Sequence, residues 1–162
     1  MYPVKLDNRD ISILKVISVE GRISKTDLAN KINLSATACL ERLKKLEKSG
    51  VIASYNAKVS LAKLAPHINV FVTLELREHR ATSFQKIERT VEQIEEVTNC
   101  WALGGGVDYL LQVTTRDIDS YQTLIEDLLE KKLGIHRYFT YIVTKSVKES
   151  APPFDILLAN RD

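Results

Sequence analysis

Apolar positions recur every three or four places along the first fifty residues, and every second place after Pro66, so a helical front gives way to a mixed rear. Asp7 precedes Asn8-Arg9-Asp10, which puts a side-chain acceptor at an N-cap and a second carboxylate in the first turn of a helix. Ile11, Leu14, Ile17 and Ser18 then share one face, with Gly21 placed to end the run. Ser24 and Asp27 start a second, short helix that buries Leu28, Ala29 and Ile32. Asn33 stands at a sharp turn, and Asn is the residue besides Gly that most readily takes left-handed backbone. Ser35 caps a third helix with Cys39 or Leu40, Leu43 and Leu46 as its buried stripe; Gly50 terminates it, and Val51-Ile52 begin an extended segment.

In the rear, Val70, Val72, Leu74 and Leu76 alternate with Phe71, Thr73, Glu75 and Arg77, the pattern of a half-buried strand. Phe84, Ile87, Val91 and Ile94 keep helical spacing. Residues 97–103 and 109–115 are rich in strand formers and flank the glycine turn GGGVD. Asp117 caps a helix carrying Ile118, Tyr121, Leu124, Ile125 and Leu128, and IHRYFTYIVTKSV is a final strand. Strand, helix, strand, strand, helix, strand is the βαββαβ order of a ferredoxin-like sandwich, so the fold class is α+β with a helix-turn-helix in front. The expected division is residues 1–52 as head, 53–66 as linker, 67–150 as rear domain and 151–162 as a tail that the pattern does not place.

Charge sharpens that division. Of 162 residues, 44% are hydrophobic and 27% charged, enough for a packed core, and the net charge of +2 is unevenly spread. Residues 1–60 carry 11 Lys and Arg against 6 Asp and Glu, and the remainder 12 against 15, so the front is basic and the rear acidic. No apolar run reaches the roughly 18 residues needed to span a bilayer, and MYPVKLDNRD lacks the apolar core of a signal peptide, so a cytoplasmic protein without membrane attachment is expected. Cys39 and Cys100 are isolated, which fits a reducing compartment and argues against a disulfide or zinc framework.

The tight turn between helices two and three, with small Ala29 where the third helix approaches, is the geometry that offers the second helix of a pair to the DNA major groove. Its outward face would carry Thr37, Ala38, Glu41, Arg42, Lys45 and Lys48, behind the Ser35 cap. Arg42 is the expected reader of guanine, Thr37 a thymine or phosphate contact, and Lys44, Lys45 and Lys48 phosphate contacts. Arg22, Lys25 and Thr26 would meet the adjoining backbone. A merely solvated, salt-bridged helix is the other reading of the same spacing. Gly104-Gly105-Gly106 exposes backbone N–H groups that can cradle a carboxylate, with Asp108 beside them to accept from an ammonium group; a plain turn is the alternative. His67, His79 and His136 are scattered and no nucleophile motif occurs, so no catalytic residue, metal or cofactor is expected. In RYFTY, alternation on a strand predicts packing.

These motifs resemble, over nearly the whole chain, the Lrp/AsnC family of feast/famine regulators. The resemblance is carried by LDNRDISIL, EGRISKTDLANKINLS, CLERLKKLEKSGVIASYNAKVS, GGGVDYLLQV and TYIVTKSVK. It implies a winged helix-turn-helix head, a hinge strand and a βαββαβ effector domain. Also implied are homodimers that assemble to octamers, and an amino acid or amino-acid derivative held between dimers. By position the effector region falls on Ala102, Gly104, Gly105, Gly106, Val107, Asp108, Tyr109, Ile118, Ile142 and Val143. The chain departs from the family at Gly106, where an acidic residue is usual, and at Asn33, where Gly is common. A regulatory subunit acting through protein contacts is the alternative function.

Overall fold

The computed structural model describes residues 4–159, so the outermost residues of the expected head and tail lie outside it. The chain forms two compact units, one of residues up to 59 together with those from 148 onward, the other of residues 60–147.

The head is built from α1 (Asn8–Ile17), α2 (Lys25–Lys31) and α3 (Ala36–Lys48). Each starts on the acceptor expected of it: Asp7 takes the Arg9 and Asp10 N–H groups, Ser24 that of Asp27, and Ser35 that of Ala38. At the foot of α2 the Asn33 N–H donates to Asn30 and the Leu34 N–H to Ala29, a Schellman closure in which Asn33 adopts φ 53°. Ile13, Leu14, Leu28, Ala29, Ile32, Cys39, Leu43 and Leu46 form the core. Burial pushes the Cys39 thiol up, as expected of a packing cysteine.

Three expectations fail in this unit. The buried face of α1 keeps the expected Leu14, with Ile17 packed at its edge, but its other buried members are Asp10, which is paired with Arg42 on α3, and Ile13 in place of Ile11. Gly21 does not end α1, which stops at Ile17; the Ser18 cap and the Val16 carbonyl, which accepts from Val19 and Glu20, turn the chain first. The hinge strand is absent among the described residues: between α3 and Ile68 there is one short 3₁₀ turn, Leu61–Lys63, and no ladder. A strand needs a neighbour to accept its hydrogen bonds, and one chain supplies none here. The tail joins the head through α6 (Phe154–Leu158): Phe154 packs on the head core, and Lys15 Nζ lies 2.7 Å from both Asp155 carboxylate oxygens.

The second unit runs β1 (Ile68–Leu76), α4 (Ala81–Val91), β2 (Val97–Ala102), β3 (Tyr109–Thr115), α5 (Ile118–Glu130), β4 (Ile135–Ile142). Its antiparallel sheet has the order β2-β3-β1-β4, the ferredoxin-like topology. Inward residues of β1 and β3, from Val70, Val72 and Leu74 to Tyr109, Leu111 and Val113, alternate with outward ones and pack on Ile87, Val91, Leu124, Ile125 and Leu128 of the helices. Among the described residues of this unit, nothing covers the opposite face. Phe71 pairs with Tyr141, Thr73 with Phe139 and Leu110 with Trp101 there, so RYFTY is not packed within one chain: Phe139 and Tyr141 are 44% and 55% exposed. Among the described residues no helix is long and apolar enough to cross a membrane.

Candidate functional site

On α3, Thr37, Glu41, Lys44 and Lys48 are all exposed, and at about 100° per residue they fall within a stripe roughly 60° wide, opposite Cys39, Leu43 and Leu46. Lys45 is exposed on the shoulder of that stripe, and Ala38 is half-buried beyond it. Ser35 is exposed but spends its oxygen on the Ala38 N–H at 3.2 Å. Arg22, Lys25 and Thr26 are exposed around the start of α2, where the first-turn N–H groups and the helix dipole favour an anion. Two lysines and one carboxylate, with Lys45 on the shoulder, give the α3 stripe a net positive charge suited to a polyanion.

Arg42 is not on that face. Its Nη1 lies 2.6 Å from Asp7 Oδ2 and 2.8 Å from Asp10 Oδ1, and Asp10 is buried to 3%. Hydrogen bonding from the Asp10 N–H, with Arg42 also contributing, holds the Asp7 carboxyl below its usual range. Arg42, expected to read guanine, thus has one guanidinium nitrogen engaged inside the head while its side chain is 33% exposed. The helical angle carried the signal, since Arg42 stands about 60° from the centre of the buried stripe and about 120° from the outward one. The carboxylates that claim it, spaced three apart in LDNRD, were legible only as caps.

In the second unit the candidate effector residues divide into two groups. Ala102 pairs with Tyr109, and Tyr109 with Leu74, so Ala102, Gly104–Gly106, Val107, Asp108 and Tyr109 cluster at one end of the sheet. Ile142 pairs with Val70, itself paired with Val113, and the Val143 N–H donates to Asn69, so both residues sit at the other end, where β3 runs into the α5 cap and Ile118. At their nearest the groups are four residues of β3 apart, from Tyr109 to the level of Val113, or about 13 Å along the strands.

Two of these residues have other commitments. Asp108 is 15% exposed; its Oδ2 accepts the Leu76 N–H at 2.7 Å, and its Oδ1 lies 2.9 Å from His79 Nε2. The carboxylate expected to receive an ammonium group instead closes the end of β1, and His79 as its partner was not legible in the sequence. Tyr109 points into the core under α4, 2% exposed, its hydroxyl donating to Glu88 Oε1 at 2.9 Å; burial and that carboxylate push its phenol well up. It supports the loop from beneath instead of lining an open site. In the loop itself, no backbone bond among the described residues is donated by residues 104–107. Only Gly105, at φ +149°, requires glycine; a Cβ at Gly104 or Gly106 would meet nothing within 4 Å.

Comparison with known proteins fits both units. Residues 6–53 match the model for winged helix-turn-helix DNA-binding domains, and residues 69–153 the model for the Lrp/AsnC ligand binding domain. The chain is 47% identical over 153 residues to the transcriptional regulatory protein DoeX of Halomonas elongata, covering 94% of this chain and 97% of that one. It is 34% identical over 145 residues to the leucine-responsive regulatory protein of Escherichia coli, covering 90% and 88%. Among solved structures, a transcriptional regulator from Neisseria meningitidis in complex with L-Met superposes with TM-score 0.88 at 30% identity, covering 95% of this chain and all of that one. With both units matched in order and relatives aligned almost end to end, the chain belongs to the Lrp/AsnC family of transcriptional regulators, which are not enzymes.

Proposed function

We propose that the protein is a cytoplasmic regulator that reads duplex DNA through the Thr37–Glu41–Lys44–Lys48 stripe. Arg22, Lys25, Thr26 and Lys45 bind flanking phosphates, and an amino-acid-like effector shared between copies of the chain alters its DNA binding. The observation that carries the effector reading is the division of the candidate residues between opposite ends of one sheet. A free amino acid of methionine size extends only about 7 Å and cannot bridge the roughly 13 Å between the two ends, so the two groups serve one ligand only when a second copy brings its far end to the first. The uncovered sheet face, with Phe71, Leu110, Phe139 and Tyr141, supports pairing of copies by burial of apolar surface. Two-fold pairing displays two heads and so calls for paired half-sites on the DNA; dimers that assemble further, up to octamers, would bring the sheet ends together. At the loop end, the free N–H groups of residues 104–107 suit the effector carboxylate. The solved relative that holds L-Met supports this ligand class.

The test is a titration of a specific duplex at several salt concentrations, with and without L-Met, L-Leu and acylated amino acids, beside a thermal shift with the same compounds. A steep log-log fall of affinity with salt and a melting point raised by one of the ligands are expected. Salt-independent binding would favour a regulatory subunit acting through protein contacts.

A further inference from the structure

We propose that Arg42 is a positioning residue that latches the DNA-reading helix to the first helix of the head, and that it makes no contact with DNA. This rests on reading α3 as the helix that meets DNA. The latch is built into the capping box of α1. Asp7 Oδ1 accepts the N–H groups of Arg9 and Asp10 at 2.9 Å, Asp10 Oδ2 accepts the Asp7 N–H at 3.1 Å, and the remaining oxygen of each carboxylate faces the same Arg42 nitrogen. One cation thus joins α3 to both members of the cap that starts α1. The brace is answered from the other side: Arg9 on α1 donates to the Ile32 carbonyl at 2.6 Å, the last carbonyl before the Asn33 turn. Together the two arginines tie α1 to the C-terminus of α2 and to the flank of α3, which fixes how α3 is rotated about its own axis.

Energetics favour the latch over a base contact. Moving Arg42 to a guanine would leave the buried Asp10 carboxylate without its counter-charge and with the Asp7 N–H as its remaining bond, a cost that offsets the base contact. The reading stripe then works at an angle set beneath the surface, by residues that no DNA atom reaches.

The experiment uses the full chain, a specific duplex, its single-base-pair variants and a random duplex, each titrated against salt. Arg42→Ala and Asp10→Asn should lose specific affinity to a similar extent, about tenfold. Discrimination should weaken at every base pair of the half-site, the salt slope should be unchanged, and the double variant should be no worse than either single one. Because Arg42 uses one nitrogen for both carboxylates, Arg42→Lys should restore most of the binding, which also keeps the test open if Arg42→Ala does not fold. An arginine that reads guanine bidentately would fail as lysine, relax one base pair alone and leave Asp10→Asn at wild-type affinity; that pattern overturns the proposal. A salt slope smaller by about one for Arg42→Ala would also overturn it, by making Arg42 a phosphate contact. Wild-type binding by both Arg42→Ala and Asp10→Asn would do the same. Failure of the wild-type chain to bind duplex with salt dependence would instead refute the DNA-binding reading itself.

Discussion

Asp108→Ala is the change on which the two accounts of the glycine loop differ most. If Asp108 closes the end of β1, the mutation removes the acceptor of the Leu76 N–H at 2.7 Å and the contact with His79 at 2.9 Å. A hydrogen bond to a charged acceptor contributes about 1.5–3 kcal/mol. The contact with His79, a side chain 62% exposed, adds no more than about 1 kcal/mol after solvent screening. A net loss of about 2 kcal/mol in a unit of this size lowers the melting point of residues 60–147 by roughly 8–16 °C. Asp108→Asn keeps an oxygen for Leu76 and loses only charge, and His79→Ala loses only the exposed contact, so each should fall by about 1 kcal/mol or less. Differential scanning calorimetry, with effector response measured on the same samples, tests this order. An Asp108→Ala variant that melts like wild type but no longer responds to effector would refute the structural role and return the carboxylate to the ligand.

The turn before α3 and the α5 cap give two further tests. Asn33 at φ 53° should tolerate Gly within a few tenths of a kcal/mol, whereas Asn33→Val should destabilise the head by about 1–2 kcal/mol in urea denaturation; equal stability of the two would refute a left-handed requirement there. The Asp117 carboxyl is held at about 2, chiefly by the Ser120 hydroxyl and N–H and then by Arg116. A depressed folded value means that its stabilisation is present above the unfolded value near 4 and is lost as pH falls towards 2. Asp117→Asn should therefore flatten the acid limb of stability in that window, and a wild-type-minus-variant difference independent of pH between 5 and 2 would count against the assignment. For the shared effector site, chains altered at Gly105 can be mixed with chains altered at Ile142. If each site takes one sheet end from each of two copies, random mixing should restore about a quarter of the sites, while either variant alone restores none. Co-assembled mixtures with no response would place the site within one chain.

How much of this was legible follows from the range of the signals involved. The caps at Asp7, Ser24, Ser35 and Asp117 and the alternation of β1 and β3 depend on neighbours a few residues away, and each appears where the sequence places it. The intrachain partners of Arg42, Asp108 and Tyr109 were not legible because they lie far along the chain: Asp7 and Asp10 across the head, Leu76 and His79 at the end of β1, Glu88 on α4. A charged side chain looks the same in sequence whether it faces solvent, a base or a buried counter-ion. Helical angle was the available correction for Arg42, and the inward phase of β3, shared with Leu111 and Val113, was the available correction for Tyr109. The hinge failed for a different reason, since a strand that needs an external partner cannot be distinguished from an extended linker by composition.

The commitment of Asp108 changes what the glycine loop can recognise. Asp108 accepts the Leu76 N–H and contacts His79, so we propose that it is not the group that receives an ammonium, and Gly106 offers no carboxylate in its place. What remains are the N–H groups of residues 104–107, with no backbone partner in the chain, and bare backbone at Gly104 and Gly106 that internal packing does not demand. The proposed half-site is then a donor surface, matched to the carboxylate end of an effector. On that proposal, selectivity for the side chain rests with the group from the other copy, around Ile118, Ile142 and Val143, where apolar residues predominate. A ligand held in this way binds the assembled form more tightly than the separated one, and by reciprocity it strengthens assembly by the same factor. Because each head is joined to its sheet within the same chain, a change in assembly alters which heads can engage two half-sites at once, so ligand and DNA affinity are coupled without a conformational path through a single subunit.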